Sequence, residues 1–134
     1  MTKATQDLPA AARPTNAELE VLRELWALGP ATVREVHERL SVAKPLAYTT
    51  TLKTLQVMAE KGLVTRDDSK RSHVYAAAAP QDQTQQRLVG ELLTRAFDGS
   101  LGAFVMQALS VKKATPEELA EVRALVEEYE RTLR

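Results

Sequence analysis

Apolar positions recur at helical spacing in three successive segments before residue 62. Leu19, Leu22, Leu25 and Trp26 form the apolar side of a first helix. Thr15 and Glu18 open it at capping-box spacing, and Gly29-Pro30 stops it. Thr32 and Glu35 repeat the box for a short second helix whose buried side is Val33, Val36 and Leu40. A break at Ser41–Leu46, containing Pro45, leads to a third helix with Leu52, Leu55 and Met58 inward, ending at Gly62. Short β-prone runs follow. Leu63-Val64-Thr65 and His73-Val74-Tyr75 read as short strands around the polar turn DDSKRS.

From Pro80 the pattern is helical throughout. Leu88, Leu92, Leu93, Ala96 and Phe97 share one side of a fourth helix, which Asp98-Gly99-Ser100 breaks. Ser100 caps a fifth bearing Leu101, Phe104, Val105, Ala108 and Leu109. Thr115, Pro116 and Glu118 start a sixth with a cap, an N1 proline and a capping box. Its Leu119, Val122, Val126, Tyr129 and Leu133 alternate three and four apart, the spacing of a helix–helix seam.

The predicted fold is therefore mainly α. Three helices and a hairpin wing make an N-terminal winged helix over residues 15–79, after a flexible tail over 1–14. A three-helix region over 80–134 follows. It has too few helices to enclose its own apolar faces, so a symmetric partner is the expected cover, with Leu101, Phe104, Val105, Leu119, Val122, Val126 and Tyr129 as the dimerisation residues. Folding back onto the winged helix is the other way to cover them.

Composition narrows the function. Without cysteine there are no disulfides, thiol catalysis or thiolate metal sites. No segment approaches a membrane span and the first fourteen residues lack a signal-peptide apolar run, so a cytoplasmic protein is expected, with no membrane partner. Glycine-rich phosphate loops are missing, and VHERLS at 36–41 has Ser41 where the zinc-protease motif needs its second histidine. Neither an enzyme nor a cofactor is expected. His73 reads as a polar strand residue.

Net charge is zero, which argues against a nucleic-acid partner until its distribution is considered. Between Arg39 and His73 there are seven basic residues and three acidic ones. Phosphate responds to local charge rather than to the total.

The third helix carries Thr49, Thr50, Thr51 and Thr54, although each threonine costs a helix interior about 0.5 kcal/mol relative to alanine. With its leucines inward, Thr49, Thr50, Lys53, Gln56 and Glu60 lie on or near the outer face. Hydroxyls, an ammonium and an amide there suit phosphate oxygens, and a threonine methyl suits the C5-methyl of thymine. One cap would need only one threonine. The candidate DNA-binding residues are Lys44, Tyr48, Thr49, Thr50, Lys53 and Gln56, with Lys70 and Arg71 at the hairpin tip. Tyr48 suits either a phosphate or a place under the wing. Asp67 and Asp68 weaken the cationic signal of the tip, and Arg66 reads as a strand-surface residue.

PTNAELEVLRELWALGPATVREV at 14–36, AYTTTLKTLQVMAEKGLV at 47–64, RDDSKRSHVY at 66–75 and FDGSL at 97–101, in this order, resemble the penicillinase-repressor family of bacterial transcriptional regulators (BlaI/MecI type). The resemblance runs from Pro14 onward. It implies a homodimeric repressor, with paired winged helices on a palindromic operator and C-terminal helices holding the dimer. Thr49 and Thr50 would fall in the helix that enters the major groove, and Arg71 in the wing. In drug-resistance members a membrane-bound sensor protease leads to cleavage at an Asn-Phe bond in the fifth helix. Aligned on FDGSL, that bond falls at Gln107-Ala108 here, so any regulatory protease partner is of unidentified kind. Copper-responsive relatives use paired cysteines, which this chain lacks. Val57 stands where many relatives have arginine, and Lys53 where threonine is common, so operator preference is expected to differ.

The resulting expectation is a homodimer that recognises specific sequences in double-stranded DNA and represses transcription. Rival readings are a winged-helix module that binds protein without DNA, and a DNA-binding activator with a small-molecule pocket. Operator sequence, regulated genes and inducing signal are not legible.

Overall fold

Each of the first two helices begins where a threonine side chain can close on the backbone. In the computed structural model, which describes residues 13–134, helix α1 spans Asn16–Leu28. Glu18 N–H donates to Thr15 Oγ1 at 3.2 Å and Thr15 N–H to Glu18 Oε1 at 2.9 Å. Gly29 ends α1 at φ 80°, ψ −169°, a conformation that favours glycine. The chain re-enters as strand β1 (Ala31–Thr32), and Thr32 with Glu35 forms the second capping box, at the start of α2 (Val33–Ala43). Helix α3 spans Tyr48–Lys61. Gly62 stops it at φ 83°, its N–H turned back to Ala59 O while Leu63 N–H reaches Met58 O, a Schellman-type ending.

Strands β2 (Val64–Asp67) and β3 (Val74–Ala77) form the hairpin. The sheet has three strands in the order β1-β3-β2, all antiparallel. Arg66 lies opposite Tyr75, and Tyr75 opposite Ala31. Strand β1 corrects the expected α-α-α-β-β order. Two residues are too short to show alternation, and Ala31 and Thr32 become a strand only because β3 lies beside them. The break between the second and third helices also shortens. Helix α2 continues through Ser41-Val42-Ala43, and Lys44 leaves it in an extended conformation.

Val21, Leu22 and Leu25 of α1, Val36 of α2, Leu55 and Met58 of α3, and Val64 and Tyr75 of the sheet form the core. Leu19, Trp26, Leu40 and Leu52 pack partly buried around it. Two polar contacts join distant parts of the chain. Trp26 Nε1 donates to Ala79 O at 3.0 Å, and Lys61 Nζ reaches the buried Glu18 Oε1 at 2.7 Å.

Helix α4 (Gln81–Phe97), α5 (Leu101–Val111) and α6 (Pro116–Thr132) complete the chain. Ser100 accepts from Ala103 N–H, and Thr115 closes a third capping box with Glu118 behind an N1 proline. The described residues up to Gly90 form one compact unit and Glu91–Arg134 another, with α4 running across the boundary. Within the second unit the rings of Phe97 and Phe104 meet edge to face at 5.3 Å. Apolar side chains there stay open: Leu101 is 66% exposed and Leu125 68%, and Leu119, Val122, Val126 and Tyr129 are exposed as well. Among the described residues no helix is long and apolar enough to cross a membrane. The expected tail, residues 1–14, lies outside the described residues as far as residue 12.

Candidate nucleic-acid interface

The threonines of α3 divide by role. Leu55 and Met58 are fully buried, which turns Thr49, Thr50, Lys53, Gln56 and Glu60 outward, all exposed. Thr51 points the other way. It is 1% exposed, and its hydroxyl lies 3.0 Å from His37 Nδ1 on α2. Burying a hydroxyl is costly without a partner, and His37 is that partner. The other ring nitrogen of His37 lies 3.3 Å from Ser41 Oγ. Both hydroxyls can donate or accept, so a neutral imidazole is served in either tautomer. Thr54 donates to Thr50 O at 2.8 Å, a bond back to its own helix. None of the four caps α3, because the N-cap is Ala47 and makes no side-chain bond. Thr49 and Thr50 are the two whose hydroxyls project outward at the entry of the helix.

Tyr48 lies at the edge of this face, 45% exposed, its ring edge-on to His37 at 5.4 Å. It lines a groove together with Leu52, Arg71, Ser72 and His73, so it sits beside the wing while staying open to solvent. Lys44 is exposed in the link between α2 and α3.

The acidic residues of the wing turn inward on the hairpin itself. Asp67 Oδ1 accepts from Ser69 N–H at 2.9 Å, closing an Asx turn. Hydrogen bonds from Ser69 hold its carboxyl below the usual carboxylate range, with Lys70 adding to the effect. Asp68 takes Arg66 in a two-point contact, Nε to Oδ1 at 2.8 Å and Nη2 to Oδ2 at 3.1 Å. His73 Nδ1 lies 2.7 Å from the same Oδ1. Arg66 is thus committed to the wing's own frame, as expected of a strand-surface residue.

Ion pairing sorts the local cationic surplus. Of the seven basic residues between 39 and 73, Arg39 pairs with Glu24, Lys61 with Glu18 and Arg66 with Asp68. Among the described residues the other four, Lys44, Lys53, Lys70 and Arg71, make no ion pair. They are the four cations that the sequence offers as DNA-binding candidates. His37 has no such signal, because its link to Thr51 spans fourteen positions with no local pattern to reveal it.

A three-helix core, a hairpin wing on a three-stranded sheet, and an exposed polar face on the third helix define a winged-helix regulator. The family model described as penicillinase repressor matches residues 14–128, and the chain belongs to that family. It is a family of transcriptional repressors, which are not enzymes. The chain is 40% identical over 82 residues to the transcriptional regulator BlaI of Mycobacterium tuberculosis, a match covering 60% of this chain and 59% of that one. It is 24% identical over 115 residues to the penicillinase repressor of Bacillus licheniformis, covering 86% and 90% of the two chains. The solved structure of an hsRosR complex shares the fold, with a TM-score of 0.50 at 16% identity over 93% of this chain and 97% of that one.

Proposed function

We propose that this protein is a cytoplasmic, sequence-specific DNA-binding repressor that occupies a palindromic operator as a homodimer. The observation that carries the reading is the outer face of α3, where Thr49, Thr50, Lys53 and Gln56 stand exposed and Lys53 makes no ion pair. That face enters the major groove. Hydroxyl and amide groups meet base edges there, and a threonine methyl meets the thymine methyl. Lys44, Lys70 and Arg71 meet backbone phosphate on either side and fix the register. Residues 15–79 form the DNA-binding part, and 80–134 bring two copies together through the exposed apolar residues of α5 and α6. Two winged helices on one hub read half-sites about one helical turn apart or a multiple of it.

Selection from random duplex at moderate salt tests this. Enrichment of a two-fold symmetric sequence is expected. Recovery of no sequence would leave a module that binds protein through the same fold. A regulatory protease as a further partner has no counterpart bond here, since the aligned position is Gln107-Ala108. Release from the operator therefore follows a different cut or none.

Arg71 and Thr50 divide the work. Arg71→Ala is expected to weaken binding to all duplexes alike and to make the salt dependence shallower by about 0.9 for each phosphate left without its cation. Thr50→Ala is expected to change the ranking of operators, with about 1–3 kcal/mol at the base pair it reads. Titrations of one operator, its single-base variants and random duplex at several salt concentrations separate the two effects. Equal losses on every duplex from both changes would contradict the division.

A further inference from the structure

Arg34 stands in the first turn of α2, where the backbone dipole disfavours a cation. Among the described residues it makes no ion pair and no side-chain hydrogen bond. It lines the groove that Tyr48 and Arg71 also line, a depression of about 380 Å³. Arg34 from α2, Tyr48 from α3, and Arg71 with Ser72 from the wing meet at this groove. Among the described residues no carboxylate lines it.

Further along the same side of α3, towards its C-terminal end, the lining differs. The depression there is lined by Glu60 and Asp68 beside Gln56 and Arg66. An anion approaching this side of α3 is therefore drawn to the Arg34 end and turned away from the Glu60 end.

We propose that Arg34, Tyr48 and Arg71 form one clamp for a single DNA backbone phosphodiester, with Arg34 as a binding residue in its own right. Two guanidinium groups without internal partners supply charge-assisted donors, and the Tyr48 hydroxyl supplies a neutral one. The ring of Tyr48 is braced edge-on by His37, which restricts its swing. Because the clamp joins α2, α3 and the wing, one phosphate fixes the angle at which α3 lies in the groove. This rests on the proposed DNA binding and adds a defined contact to it.

The full chain is titrated against its selected operator and against random duplex over a range of salt. Arg34→Ala, an exposed position, is expected to weaken both duplexes by a similar factor, about tenfold, while the double variant Arg34→Ala/Arg71→Ala, which leaves the phosphate without a cation, makes the salt slope shallower by about 0.9 for each half-site. Arg34→Lys restores most of the affinity, and Tyr48→Phe weakens binding without changing the slope. A set of operators, each with one neutral methylphosphonate per half-site, then locates the contact. One position is expected to weaken the wild type and to leave the double variant no weaker than before. Undiminished affinity in Arg34→Ala, an unchanged slope in the double variant, or no such position overturns the clamp while DNA binding stands. A wild-type chain that binds no duplex overturns the function and the clamp together.

Discussion

Val122→Glu is expected to convert the protein to a monomer and to weaken operator binding by about 100-fold or more, the advantage that linking two sites confers. The same variant should bind random duplex, per winged helix, nearly as well as the wild type. Leu119, Val122, Val126 and Tyr129 follow one side of α6 at intervals of three and four, all exposed in the single chain. Helix α5 adds to this surface. Its sequence, LGAFVMQALSV, has only Gln107 and Ser110 as polar side chains, yet none of its residues is buried. A helix that is apolar all round belongs in an interior, and in the proposed dimer a second copy supplies the rest of that interior. A carboxylate in the seam must leave water with no partner, which opposes association far more than removal of a methyl group does. Val122→Ala provides the contrast, since it should weaken the dimer only modestly. Sedimentation equilibrium gives the assembly state and titration gives both affinities. A dimeric Val122→Glu with full operator affinity would place the interface elsewhere.

Lys61→Met should destabilise the N-terminal unit by about 3 kcal/mol, at the lower end of the cost of breaking a buried ion pair. Lys61 Nζ lies 2.7 Å from Glu18 Oε1, and both side chains are largely shielded. With the ammonium gone, Glu18 keeps its hydrogen bonds with Thr15 and stays buried. Urea unfolding at neutral pH measures the loss.

The pH dependence of the loss has a definite sign. Burial alone raises the Glu18 pKa, but hydrogen bonds from Lys61 and Thr15, with the charge of Lys61, carry it below the ordinary 4.5. A carboxyl with a lowered folded pKa contributes stability that is fully present above 4.5 and lost as pH falls through the folded value. In Lys61→Met two of the lowering causes are gone, so the folded pKa lies above that of the wild type. Protonation then relieves the buried charge, so the variant recovers ground on acidification. The gap between wild type and variant should narrow from pH 7 towards pH 4. A constant gap would mean that Lys61 acts through the packing of its stem, not through Glu18.

Features set by neighbours three or four positions away were legible without the fold. Thr15 with Glu18, Thr32 with Glu35, and Thr115 with Glu118 each close the capping box that their spacing suggests. Gly29 and Gly62 end helices at positive φ, and the outer face of α3 follows from the period of Leu52, Leu55 and Met58. Periodicity also assigns Thr51 to the inner side, but not its reason for being there. That reason, His37, comes from another helix.

The sequence by itself determined the order of the helices, the hairpin and the face on offer to a ligand, because caps, turns and amphipathic period are governed by short-range sterics and hydrogen bonds. Only the tertiary structure decided which charges remain free, that Ala31 and Thr32 form a strand, and that Arg34 shares a groove with Tyr48 and Arg71. Those outcomes depend on pairs as far apart as Glu18 with Lys61 and Trp26 with Ala79. Contacts at such separation form when burial of the core brings the elements together, and no local spacing encodes them.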